Sequence, residues 1–329
     1  MSAQPAESGR DPVPTAVPES ELPWRLNVAR SIIARSQRFR YRSLIRQMVQ
    51  RLLGPRVDMH VVFRAPDGFL VAAYPAGRGS LPDAAFWRGH QEIGPSRFLG
   101  AYLQPDDVFY DVGANYGYYT LQAATRISGA SAVVAFEPHP DTRAELARNL
   151  RLNAATNVVV REEALSDAEG EAHLFQPSGH GLAACTLASA SDEAAIGPCV
   201  TVCRLDEAVS KMQLPPPTVV KIDVEGWESH ALEGAKDVLA GPAPPLLVIE
   251  ADECLARRAG SSVAVWARAL GELGYRFLAL NEYAGSVRGL AEPWECPTDP
   301  GTIDGISRNL VAYHPGHHAD RLRRIDCLP

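Results

Sequence analysis

The sequence predicts an α/β protein built on a doubly wound sheet, on three observations. From Asp107 onward, apolar runs of strand length alternate with segments of helical spacing, as parallel strands joined by helices require. A glycine-bearing turn, Asp111-Val-Gly-Ala-Asn-Tyr-Gly-Tyr-Tyr-Thr120, follows the first apolar run and leads into a helix. Acids then mark the strand ends: Asp111, Glu137, Asp223 and Glu250, with Glu163 just past another. In such a sheet ligands sit beyond the C-terminal strand ends, so these acids share one rim.

Taken in order, residues 1–21 are rich in Pro, Ser and Glu and read as a disordered tail. Residues 24–53 carry eight arginines among apolar side chains and no acid, and Gly54-Pro55 follows in the manner of a helix end. They read as one or two amphipathic helices with an arginine-rich outer face and an apolar side packed as a lid. That face is either simply solvated or meets an anionic substrate, acidic lipid or RNA. Residues 57–74 alternate around Pro66-Asp67-Gly68, a hairpin signal. Residues 22–100 thus form an extension before a main domain at 101–315 and a tail at 316–329.

Within the main domain, strands are expected at 108–110, 133–137, 157–160, 218–222, 245–249, 275–280 and 309–313. Helices are expected at 121–127, 141–153, 228–239 and 263–273, the last ended by Gly274. A polar insert precedes a further strand at 200–203 and a short helix from Asp206.

Hydrophobic residues at 46% and charged ones at 22% are those of a soluble globular protein, and a net charge of −7 argues against DNA as a partner. Arginine outnumbers lysine, which occurs only at 211, 221 and 236, as in proteins from GC-rich bacterial genomes. The six cysteines show no C-x-x-C pair and read as reduced, mostly buried thiols. No apolar run is long enough to span a membrane and no signal-like h-region opens the chain, so a cytoplasmic location is expected.

The rim acids narrow the ligand. Asp111 would repel a phosphate, so the glycine turn suits a positive or hydroxyl-bearing end. Glu137 follows the turn by roughly 20 residues, the separation at which an acid receives ribose hydroxyls, although it could instead cap the next helix. Glu163 could accept from an exocyclic adenine amine, with Glu162 as competitor. A dinucleotide needs the G-x-G-x-x-G spacing, whereas this turn has Gly113 and Gly117 among tyrosines. An adenosine-bearing cofactor without phosphates and with a cationic end fits all three acids, and S-adenosyl-L-methionine meets that description.

The turn at 111–120, Ala135-Phe-Glu-Pro138, Asn157-Val158 with Ala164-Leu-Ser-Asp167, Leu205-Asp206 and Val220-Lys-Ile-Asp-Val-Glu-Gly-Trp-Glu228 closely resemble the FkbM-type methyltransferases. The resemblance runs from about residue 57 to 313, more weakly in its earlier part. It implies a Rossmann-like, class I fold of seven strands with the last antiparallel, and O-methylation of secondary metabolites or sugars. It implies that Asp111, Gly113, Asn115, Gly117, Tyr119 and Thr120 hold the methionine end, Glu137 with Pro138 the ribose, and Glu163 with Ala164 the adenine. Asp223 would face both the methionine moiety and the acceptor.

A hydroxyl acceptor benefits from a base, for which Asp223 and Glu225 are the best-placed candidates and His180 the next. Alternatively Asp223 anchors the cofactor and Glu225 caps the following helix. Glu92 could close the pocket from above or pair with the arginine helices. His314, His317 and His318 come without an acid or thiol at ligand spacing, so no metal is expected. The leading expectation is an O-methyltransferase acting on a hydroxyl of a small natural product such as a polyketide, peptide or sugar. A nucleic-acid methyltransferase using the arginine segment and a non-catalytic adaptor remain as alternatives. An anionic-surface contact through residues 25–51 and a homo-oligomer are both left open.

Overall fold

The computed structural model describes residues 17–22, 24–36, 48, 52, 61–73, 85–87, 90–129, 132–176, 185–187, 195–280 and 308–327. His180 and most of the polar insert lie outside these residues.

The core is a seven-stranded sheet. Its strands are β4 (Phe109–Val112), β5 (Val133–Phe136), β6 (Val158–Arg161), β10 (Val219–Ile222), β11 (Leu246–Ala251), β12 (Arg276–Ala279) and β13 (Arg308–Tyr313). The spatial order is β12-β13-β11-β10-β4-β5-β6. Pairs from β11 through β6 are parallel, while β13 runs antiparallel to both β11 and β12. Seven strands with the last antiparallel are what the family resemblance implies for a class I methyltransferase. Strands β4, β5 and β10 are buried along their whole length, which is why they read as unbroken apolar runs. From β4 the chain builds outward through β5 and β6, then crosses back to lay β10 on the other side. The crevice opens at that reversal.

The helices about the sheet are α3 (Tyr118–Ala124), α4 (Pro140–Leu152), α5 (Leu205–Lys211), α6 (Glu228–Glu233), α7 (Lys236–Leu239), α8 (Glu253–Arg258) and α9 (Val263–Glu272). Helix α3 begins one turn earlier than expected, because Tyr118 and Tyr119 are buried in its first turn instead of lining a loop. The single helix expected over 228–239 is two, broken at Gly234. There the backbone meets Ser166 so closely that a Cβ would lie 1.9 Å from its carbonyl oxygen, and Asp206 N–H takes the Gly234 carbonyl at 3.0 Å.

The strand expected over 200–203 does not join the main sheet. It is part of β9 (Ala195–Cys203), which pairs with β7 (Ala164–Leu165) and β8 (Gly170–Gln176) in a small sheet of its own. The largely exposed β8 and the lone Thr186–Phe175 bridge show how the insert's described parts are held.

The N-terminal hairpin is β2 (Val61–Arg64) and β3 (Leu70–Ala73). Its turn residue Asp67 grips α3 through Gln122 at 2.7 Å and Arg126 at 2.6 Å. Asn149 and Asn153 of α4 take its backbone N–H groups at 3.0 and 2.7 Å. Ahead of it, Val17–Pro18 (β1) pairs in parallel with Val61 and Val62, so part of the expected tail at 1–21 is a strand. Helix α1 (Trp24–Ser36) buries Leu26, Ala29 and Ile33 in the same core as Phe63 and Phe86. Its outer face departs from expectation. Arg30 turns in, donating to the Phe86 carbonyl at 2.9 Å and lying over the Phe86 ring at 4.5 Å, while Trp24, Val28 and Ile32 face out.

The thiols also differ from expectation. Of the described cysteines all are free, but only Cys203 and Cys327 are buried, whereas Cys199 and Cys254 are exposed. The tail histidines sit at the start of α10 (Pro315–Arg324). The His314 N–H donates to His318 Nδ1 at 2.9 Å, and burial with neighbouring His317, His314 and Arg321 lowers His318 to about 4. They stabilise a helix start. Among the described residues no helix is long and apolar enough to cross a membrane.

Candidate functional site

A cleft of about 870 Å³, measured to its open mouth, lies at the C-terminal ends of β4 and β10. Gly113 and Asp223, the residues that follow these two strands, meet at its floor. Gly113 has φ +80°, and a Cβ there would fall 1.9 Å from the Asp223 carbonyl oxygen, so only glycine fits. Gly117, at φ +91°, leaves the space that Leu146 fills, its Cδ1 only 2.4 Å from where a Cβ would sit. Asn115 between them takes φ +54° and its own side chain accepts the Tyr116 N–H at 2.8 Å.

Glu137 is buried on the cleft wall with both oxygens engaged. Oε2 accepts the Asn115 N–H at 2.8 Å and Oε1 the His139 N–H at 2.9 Å. It therefore fixes the glycine turn and the entry to α4 together. Each oxygen retains acceptor capacity, and burial pushes the carboxyl up to about 7 against those hydrogen bonds. His139, also on the wall, has a buried Nδ1 without a partner among the described residues, and burial lowers its pKa.

Of the two competing acids, Glu163 lines the cleft with Ala164, and a forked pair with Arg161 includes an Nε contact at 3.1 Å. Glu162 points to solvent at 70% side-chain exposure and pairs with Arg143. Asp111 and Thr120 are elsewhere than expected. They bond one another at 2.6 Å beneath the turn and are not among the residues that line the cleft. Asp111 is nearly inaccessible and its Oδ1 lacks a partner, so it supports the turn from below.

At the other end lie the acids of the 221–228 motif. Lys221 is buried, and its ammonium contacts Asp223 Oδ2 at 2.6 Å and the Tyr119 ring at 4.5 Å. Burial opposes its charge, but the carboxylates of Asp223, Glu92 and Asp111 outweigh that and raise its pKa. The turn into α6 is held by Glu228, whose Oε1 accepts the N–H groups of Val224 and Gly226 at 3.1 Å each. Glu225 has no part in that cap. It lines the cleft in a left-handed conformation, φ +54°, with no side-chain hydrogen bond or ion pair among the described residues. Burial, followed by Asp223, Glu228 and Glu92, pushes its carboxyl up to about 8. A strained, non-glycine residue that faces a cleft is a common mark of function.

Glu92 reaches this end from the N-terminal extension. It accepts from Tyr119 Oη at 2.9 Å and from Asn309 Nδ2 at 2.8 Å, not from the arginine helix. Glu250, opposite Asn309 in the β11–β13 ladder, has a buried Oε2 without a partner. Burial and the surrounding acids raise its pKa well above the usual carboxylate range.

Residues 111–277, just over half of the chain, match the model of the methyltransferase FkbM domain. The chain belongs to the FkbM methyltransferase family. It is 34% identical over 152 residues to the hexuronic acid methyltransferase AglP of Haloferax volcanii, an alignment covering 46% of this chain and 59% of that protein. The chain thus spans well under two thirds of that relative. Among solved structures it is similar to methyltransferase FkbM from Methylobacillus flagellatus, with 16% identity, a TM-score of 0.39, and coverage of 64% of this chain and 44% of the other. Precorrin-6y C5,15-methyltransferase from Geobacter metallireducens gives 15% identity, a TM-score of 0.36, and coverage of 67% and 85%.

In this FkbM protein, Gly113, Asn115, Tyr119, Glu137, Pro138, Glu163, Ala164, Asp223 and Glu225 all line one cleft, and Gly117 shapes the turn beside it. Sequence reasoning placed His139 beside the adenosine but missed Gln91, Lys221, Trp227 and the short stretch Cys185-Thr186-Leu187. Lys221 and Trp227 were inside a quoted motif, and Lys221 could have been found by asking what neutralises Asp223. Gln91 could not. It reaches the cleft because Tyr116 Oη donates to it at 2.6 Å, a contact that no local pattern encodes.

Proposed function

We propose that the chain is an S-adenosyl-L-methionine-dependent O-methyltransferase acting on a hydroxyl of a small natural product, a sugar being the best-supported acceptor. The observation that carries this reading is the presence, in one cleft, of a ribose-type acid, Glu137, and a second acid, Glu225, that has no side-chain partner among the described residues. The donor set suits an adenosine with a cationic end. Glu137 offers spare lone pairs to a diol, Glu163 an acceptor to an amine, and the partnerless His139 Nδ1 a further acceptor. The Gly113–Gly117 turn lets backbone approach where a Cβ would collide.

When bound, the cofactor supplies an activated methyl group on a sulfonium. The residues of this chain position the acceptor and manage its proton. Asp223, held by Lys221, keeps a fixed negative charge at the end of β10, suited to the cationic end of the donor. Glu225 is free to take the acceptor's proton as the new C–O bond forms, since its raised pKa makes it a stronger base than an ordinary carboxylate. The likeness to a hexuronic acid methyltransferase supports a saccharide acceptor.

A radiolabelled methyl donor offered with a panel of hydroxylated saccharides, polyketides and peptides tests the reading. Label should enter a base-stable ether of a sugar, and label found only in base-labile methyl esters or in nucleic acid would overturn it. On the adenine side, Glu163→Ala should weaken donor binding about tenfold, the worth of one charge-assisted hydrogen bond. Glu162→Ala, at an exposed position, should leave the calorimetric Kd unchanged; equal losses in both variants would move the adenine elsewhere.

A further inference from the structure

We propose that Gln91, which the N-terminal extension carries into the cleft, receives the carboxylate at the methionine end of the donor through its side-chain amide; this rests on the donor being S-adenosyl-L-methionine. Gln91 lies outside the matched residues 111–277, lines the cleft and is only 7% exposed. Its Oε1 accepts from Tyr116 Oη at 2.6 Å. An amide whose oxygen is held in this way keeps two N–H groups to give, and Gln91 Nε2 has no partner among the described residues. The same tyrosine fixes a second amide. Its backbone N–H donates to Asn115 Oδ1 at 2.8 Å, and Asn115 also lines the cleft. Tyr116 thus occupies both amide oxygens and leaves both nitrogens as donors. The residues flanking Gln91 are held too, since Tyr119 Oη donates to Glu92 at 2.9 Å and Tyr118 Oη lies 3.4 Å from His90 Nδ1. Three consecutive residues of the extension are therefore pinned to three hydroxyls of the turn and α3, which sets the Gln91 amide in place before a ligand arrives.

Charge selects what the amide meets. Glu137, Glu163, Asp223 and Glu225 line the cleft, and they suit the hydroxyl-bearing and cationic parts of the donor but repel its carboxylate. The ammonium of Lys221 is held by Asp223 at 2.6 Å, and the Trp227 indole gives its N–H to Ser166 at 3.1 Å. The amides of Gln91 and Asn115 stay uncommitted, and two of them match the two oxygens of a carboxylate. A neutral hydroxyl of the methyl acceptor would gain less from the same amide, because a hydrogen bond to an ionised group is about twice as strong as a neutral one.

The test is calorimetric titration of the full chain with S-adenosyl-L-methionine and with its decarboxylated analogue, which keeps the sulfonium and the ammonium and lacks only the carboxylate. Gln91→Glu is the informative variant, because it keeps an oxygen for Tyr116 and puts a negative oxygen where the NH₂ was. It should bind S-adenosyl-L-methionine at least about tenfold more weakly, while the decarboxylated analogue binds as well as before or better. Gln91→Met, of similar volume and without a donor, should lose affinity for the first compound and not for the second. Equal losses for both compounds, the mark of a merely structural role through Tyr116, overturn the proposal. So does undiminished binding of S-adenosyl-L-methionine by Gln91→Glu. A wild-type chain that binds neither compound overturns the identity of the donor itself, and the proposal with it.

Discussion

Glu225→Gln is expected to lower the rate of methyl transfer by about 10²- to 10⁴-fold, the usual worth of a positioned general base, with little change in donor affinity. The substitution keeps shape and volume and removes only the proton-accepting charge. In the wild type the rate should rise with pH along a limb centred near 8, where burial and the neighbouring acids place this carboxyl. The variant should lose that limb. Stability supplies an independent reading with a definite sign. A carboxyl whose pKa is raised in the folded state contributes stability that is full below its unfolded value and lost as pH rises through about 8. Wild type and variant should therefore melt alike near pH 4, and above pH 8 the variant should be the more stable. A full-rate Glu225→Gln enzyme would pass the proton-handling role elsewhere. Asp223→Asn should behave differently. It should weaken donor binding and lower the melting temperature, because it leaves the buried Lys221 ammonium short of its nearest counter-charge.

Glu137→Ala is expected to weaken donor binding by about 10²-fold or more. Two charge-assisted hydrogen bonds to a diol are lost, each worth about 1.5–3 kcal/mol. The same change strips acceptors from the buried N–H groups of Asn115 and His139, so the glycine turn should loosen as well. Glu137→Gln separates the two effects. It retains an acceptor for one backbone N–H, so it should recover melting temperature more than affinity. Calorimetric titration alongside thermal melting reads both, and an unchanged Kd in Glu137→Ala would remove the ribose assignment.

The sheet was legible because its strands β4, β5 and β10 are buried on both faces and so stand out as apolar runs bounded by turn residues. The reversed last strand came from the family resemblance, and the order of the strands came only with the structure, since no periodicity reports which strands are neighbours. Misreadings occurred where tertiary contact overrode a local pattern. The helix over 228–239 breaks because Gly234 must press against Ser166. In the site, Glu137, Glu163, Asp223 and Glu225 were legible as acids at strand ends. Asp111 was misplaced, because a strand-end acid can turn inward as readily as into the cleft, and here Thr120 draws it inward. Glu228 was quoted in a motif but not recognised as the cap, a role that depends on the geometry of the 223–228 turn. The apolar outer face of α1 was hidden by the density of arginines around it.

The central claim is that the β4–β10 cleft holds S-adenosyl-L-methionine through Glu137 at one end and the Gly113–Asp223 junction at the other. Isothermal titration of S-adenosyl-L-methionine into the wild-type chain and into Gly113→Ala tests it most directly. The expected result is saturable binding of one equivalent to the wild type and none to a variant whose Cβ has no space beside the Asp223 carbonyl. Absence of binding to the wild type, or equal binding by both proteins, would contradict it.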